Sequence, residues 1–145
     1  MHKDILVFAG KQVGLQLVMH LLKLDAPIRR IVVASDSDNK ILELVAKSNI
    51  TATIYNRQVQ EQLAEEKHRY EWLLNLWSPH ILCQGVLDLA AHRLNIHPSL
   101  VPHCQGNDNA AWTIRKDLPA GVSLIEMSGD LDKGAIYVQK QIPYS

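Results

Sequence analysis

An open, mostly parallel sheet with helices on both faces is the fold class this sequence predicts, on three observations. Short apolar runs alternate along the chain with stretches of helical period, the sign of a parallel sheet covered by helices. A chain of 145 residues buries roughly two thirds of its unfolded surface, enough for one core and too little for two domains. No internal repeat, low-complexity tract or linker interrupts it, so a single Rossmann-like domain over 1–145 is expected.

The elements follow in order. Ile5 to Ala9 reads as a first strand, Gly10 to Gly14 as a turn, and Val13 to Leu24 as a helix with Leu15, Val18, Met19 and Leu22 on one face. Ile31 to Ala34 is the second strand. The cluster Ser35 to Asn39 then offers an N-cap to a helix over Lys40 to Lys47. An acidic residue at that place can instead hold a ribose, but the first turn lacks a full G-x-G-x-x-G, so dinucleotide binding is not expected. Thr51 to Tyr55 reads as a third strand and Val59 to Trp77 as a long helix. Glu65 to Arg69 would form its solvated face, and Tyr70, Leu73, Leu74 and Trp77 its core side. His80 to Cys83 is the fourth strand and Arg93 to His97 the fifth. A helix over Ala110 to Lys116 leads to a closing pair of strands, Val122 to Met127 and Ala135 to Ile142.

Composition narrows the class. Fifteen basic and fifteen acidic residues cancel, which removes the overall electrostatic case for nucleic acid or an anionic membrane. No apolar run approaches the roughly twenty residues that span a bilayer, and MHKDILVFAG opens a strand without a signal-peptide pattern, so a cytoplasmic protein is expected. Cys83 and Cys104 fit a reducing compartment, Cys83 as a small core residue. His103 and Cys104 lie near His97, but the prolines between them and the absence of C-x-x-C or H-E-x-x-H spacing argue against a metal.

The chemistry concentrates in Asn95-Ile96-His97-Pro98-Ser99-Leu100-Val101-Pro102 and in Leu131-Asp132-Lys133-Gly134. Side chains alternate along a strand, so Asn95 and His97 share a face while Ile96 enters the opposite layer. Pro98 keeps His97 extended and ends the strand where the imidazole is presented. Taken alone, an N-x-H is a surface polar pair and Asp132 a turn residue before Gly134.

Taken together, NIHPSLVP, Gly106 and the run GVSLIEMSGDLDKG from Gly121 to Gly134 resemble the catalytic core of the formyltransferases that use 10-formyltetrahydrofolate. The resemblance is specific from Asn95 to Pro143. It implies a formyltransferase catalytic domain, with Asn95, His97 and Asp132 acting on one formyl group. It also implies that the loop after the fourth strand, here Gly85, Val86, Leu87 and Asp88, and the segment Met127, Ser128, Gly129, Asp130 and Leu131 cradle the pterin of the donor. Ser99, Gly106 and Trp112 fall where the acceptor would lie. The segments Ala111 to Ile114 and Leu118 to Val122 look most like the branch acting on nucleotide-linked amino sugars, with glycinamide ribonucleotide next and methionyl-tRNA after it.

Those three residue types suit the reaction. Moving a formyl group to an amine makes its carbonyl oxygen negative, so donors aimed at that oxygen are needed, and Asn95 with protonated His97 can supply them. The amine must lose a proton and the departing nitrogen gain one, a task for an imidazole supported by a carboxylate such as Asp132. The expected partner is a small acceptor amine, with no membrane and no nucleic acid, and a homo-oligomer is left open. Two departures from the family stand out. Only Val86 to Leu94 separate Gly85 from Asn95, where a longer loop with a short helix is usual, and the chain stops at Ser145, so it is expected to be truncated or minimal. A folate- or nucleotide-binding module without turnover is the alternative.

Overall fold

Five successive apolar residues make β1, Ile5–Ala9, and all five are buried. Alternate side chains of a strand face opposite ways, so complete burial means that both faces of the sheet are covered at this point. The structure, a computed structural model, describes residues 3–98, 121–127 and 135–141. It divides into two compact units, Met1–Arg93 and Leu94–Ser145.

In the first unit β1 lies between β2, Ile28–Val33, and β4, Tyr70–Leu76, parallel to both. β3, Thr51–Ile54, adds in parallel beyond β2. The strand order is β3-β2-β1-β4-β5, where the first residues of β5, Ala90–His97, belong to this unit. Helices α1, Lys11–Lys23, α2, Asn39–Val45, α3, Arg57–Ala64, and α4, Gln84–Leu87, connect the strands. The core consists of Leu6, Val7 and Phe8 of β1, Ile31 to Val33 of β2 and Leu73 of β4, with Val18, Ile41, Val45, Leu63 and Val86 contributed by the helices. In the second unit the remainder of β5 pairs antiparallel with β6, Gly121–Glu126, which pairs antiparallel with β7, Ile136–Gln141. The expected closing pair is therefore present as two antiparallel strands.

Two elements differ from the sequence reading. The long helix over Val59 to Trp77 is in fact α3 followed by β4. Asn56 caps α3, its Oδ1 accepting from Val59 N at 2.8 Å, and the helix is over by Ala64. Tyr70 to Leu76 then pairs along the whole of β1, Ile5 opposite Trp72 and Ala9 opposite Leu76. Tyr70 and Leu73 are core as expected, while Leu74 and Trp77 are half-buried. The fourth strand expected at His80 to Cys83 is instead part of an irregular loop, Trp77 to Cys83, and Cys83 is exposed rather than a core residue. With β4 ending at Leu76 and β5 beginning at Ala90, the connection between them contains the short helix α4.

Smaller shifts have local causes. The expected turn at Gly10 is tighter, with α1 starting at Lys11 in a left-handed conformation, φ 58°. Asp38 ties this turn to the end of β2: its Oδ1 accepts from Lys11 N at 2.8 Å and its Oδ2 from Ser35 N at 3.2 Å. The capping role expected of the Ser35 to Asn39 cluster is carried out around the 3-10 turn Asp36–Asp38, and the carboxylate is committed to main-chain donors. No helix among the described residues is long and apolar enough to cross a membrane.

Candidate active site

His97 is the last residue of β5 and is 3% exposed. The antiparallel register sets it directly opposite Ser123, and Ser123 opposite Gln139 of β7. Residues opposite one another in a ladder share a face, so His97, Ser123 and Gln139 form a polar row across three strands. The fully buried Ser123 Oγ accepts from Gln139 Nε2 at 3.0 Å. Asn95, two residues before His97, is half-buried on that same face, opposite Ile125. Leu94, Ile96, Val122 and Leu124 take the other face, leaving the polar groups together.

Burial of His97 and Ser123 gives their end of this row its chemical value. A charge or developing charge close to His97 acts through a medium of lower effective dielectric than water, so each aligned donor counts for more. Sequence reasoning did not identify Ser123 or Gln139. The available signal was a lone small hydroxyl in the apolar strand Gly121-Val122-Ser123-Leu124-Ile125, two residues from Gly121.

In the first unit the carboxyl ends of the parallel strands converge. A Cβ added to Gly10 would lie 2.9 Å from Ala34 Cβ and 3.1 Å from Trp77 O, so only a glycine lets the ends of β1, β2 and β4 approach this closely. Trp77 leaves β4 at φ 73°, an unusual conformation for a bulky residue, and directs the chain into the loop ending at Cys83. Such strand ends are where open α/β sheets bind ligands.

This geometry corrects the assignment of the loop after the fourth strand to Gly85, Val86, Leu87 and Asp88. Those residues belong to α4 and its C-terminal cap. Val86 N and Leu87 N donate to Cys83 O, and Asp88 N donates to Gln84 O, so the main-chain donors of Val86 to Asp88 are spent within the helix. Val86 and Leu87 are buried in the core, and Gly85 is there because a Cβ would meet Ala64 Cβ at 2.9 Å, where α4 crosses α3. The loop after β4 is Trp77 to Cys83. Met127 is half-buried just beyond β6. Asp132, Ser128, Gly129, Asp130, Leu131, Ser99, Gly106, Trp112, and the helix expected over Ala110 to Lys116, lie outside the described residues.

A mostly parallel sheet connected by helices, with Asn95 and His97 on its fifth strand, fits the formyltransferase domain that the sequence resemblance implied. The profile of the formyl transferase family matches residues 5–144, and the chain belongs to that family. A methionyl-tRNA formyltransferase of Dehalococcoides mccartyi is 46% identical over 65 residues, a match covering 43% of this chain and 21% of that protein. The chain thus matches about a fifth of the length of such relatives. Among solved structures, glycinamide ribonucleotide transformylase 1 from Symbiobacterium toebii superposes with a TM-score of 0.80 at 17% identity, covering 98% of this chain and 74% of the other. A sugar N-formyltransferase from a Shewanella species superposes with a TM-score of 0.73 at 19% identity, covering 99% and 58%. At those identities the likeness is one of fold.

Proposed function

We propose that the chain transfers a formyl group from 10-formyltetrahydrofolate to a primary amine on a small acceptor, a nucleotide-linked amino sugar. The observation that carries this reading is the buried imidazole of His97 at the end of β5, with the Asn95 carboxamide on the same face. The donor supplies a formyl carbonyl held on nitrogen. Asn95 Nδ2 and protonated His97 donate to that carbonyl oxygen as it gains negative charge. His97 also moves the proton that the attacking nitrogen must lose, and Asp132 supports the imidazolium form. The loop Trp77 to Cys83 receives the pterin through main-chain groups, taking the place first given to Gly85 to Asp88. Its chemistry fits: among the described residues Ile81 and Leu82 make no hydrogen bond, and Ile81 is 76% exposed.

The acceptor is tested with a panel of nucleotide-linked 3-amino and 4-amino sugars, glycinamide ribonucleotide and methionyl-tRNA, each assayed with 10-formyltetrahydrofolate. Formylation of an amino sugar, with the other two inert, is the expected result. The 65-residue match to a methionyl-tRNA formyltransferase favours a second reading, and formylation of methionyl-tRNA alone would establish it in place of the first. Folate binding with no acceptor turned over would mean a binding module. A cytoplasmic location belongs to the same reading and is checked by cell fractionation.

A further inference from the structure

The loop Trp77 to Cys83 has no regular structure, yet side-chain hydrogen bonds hold it at three points. Asn75 closes its first turn, Nδ2 donating to Ser78 O at 3.2 Å and Oδ1 accepting from Ser78 N at 3.1 Å. His80 reaches the end of β2, its Nε2 lying 2.8 Å from Ala34 O. A carbonyl oxygen only accepts, so Nε2 carries the proton. The His80 ring lies flat on Tyr55, with centroids 3.7 Å apart and planes within 10°. Gln60 completes the latch, its Nε2 donating to Tyr55 Oη at 2.6 Å and its Oε1 accepting from Cys83 N at 2.7 Å. One amide of α3 thus joins the residue under the His80 ring to the far end of the loop.

We propose that His80, backed by Tyr55 and Gln60, is a positioning residue for the formyl donor, fixing the Ile81–Leu82 main chain in the shape that receives it. The inference rests on the formyl-transfer reading above. Between the anchors at His80 and Cys83, the main-chain groups of Ile81 and Leu82 make no hydrogen bond among the described residues, as expected of groups reserved for a ligand. A loop free to adopt many conformations must be ordered when the ligand binds, whereas one already latched avoids most of that cost. None of the three residues needs to touch the reacting atoms, so their loss acts on donor binding more than on the chemical step.

Two readouts on the intact chain test this: amide hydrogen exchange of the 77–83 segment, and donor kinetics. His80→Ala is expected to speed exchange in that segment severalfold and to raise KM for 10-formyltetrahydrofolate about tenfold, with kcat within about threefold. His80→Phe keeps a ring on Tyr55 but not the bond to Ala34, and is expected to recover part of both effects. It also serves if the alanine variant does not fold. Unchanged exchange in both variants overturns the latch. Faster exchange with unchanged KM overturns the positioning role alone, whereas a wild-type chain that binds no folate overturns the formyl-transfer reading and the positioning role with it.

Discussion

His97 combines a titratable ring with near-complete burial at the end of a strand, and the single most informative substitution is there. His97→Asn keeps a polar side chain of smaller size but removes the group that can both carry a proton and present a cationic donor. Formyl transfer is expected to fall by at least about a hundredfold, the usual scale for losing general acid–base assistance. Binding of a folate analogue, measured by calorimetry, should change far less, since the pterin is assigned to other segments. Equal losses of binding and turnover would make His97 structural. Ser123, opposite it, was not recognisable beforehand because a buried serine looks like any small strand residue until the register with β5 is known.

At the scale of the elements, α4 and β4 are where packing overruled local pattern. Gly85→Ala places a methyl group 2.9 Å from Ala64 Cβ, a short side chain unable to move aside, so α3 and α4 must separate. A loss of about 1–3 kcal/mol in chemical unfolding is expected, the range for overpacking a tight contact. Folate affinity should be unchanged, and a selective loss of affinity with normal stability would return Gly85 to the binding site. Tyr70, at the start of β4, has its hydroxyl pushed up to about 12, first by burial and then by the Glu66 carboxylate. Tyr70 Oη donates to Glu66 Oε2 at 3.4 Å, and Glu66 also pairs with Arg30. Because the unfolded chain releases this proton near pH 10 and the folded chain holds it, this group's contribution to stability is complete below pH 10 and is lost between pH 10 and about 12. Tyr70→Phe should flatten the fall in melting midpoint over that window. An identical alkaline profile in the two proteins would mean that the hydroxyl ionises as freely in the fold as outside it.

For the whole molecule, the balance of fifteen basic and fifteen acidic residues bears on the acceptor. Binding that neutralises many phosphates weakens steeply with salt, by about 1,000-fold or more between 50 and 200 mM for six or more contacts. Turnover of a small acceptor is therefore expected to change by less than about threefold over that range, and a steep fall would favour methionyl-tRNA.

The sequence by itself determined the α/β class, the strand that ends on His97 and the placing of Asn95 and His97 on one face of it. Asn95, His97 and Pro98 constrain one another locally, so alternation and the proline restriction place them without further help. Glu65 to Cys83 was different. Tyr70-Glu71-Trp72-Leu73-Leu74-Asn75-Leu76 satisfies helical spacing and the burial of a central strand equally well, because a run apolar on both sides has no period of its own. Only pairing with β1, residue by residue from Ile5 to Ala9, makes it a strand. That pairing moves the following loop to Trp77, puts Gly85 to Asp88 in a packed helix and its cap, and brings Ala34 and His80 together with the Tyr55 to Gln60 segment, three separate stretches of chain. Contacts between residues so far apart in sequence leave no local pattern, which is why the tertiary structure alone could decide them.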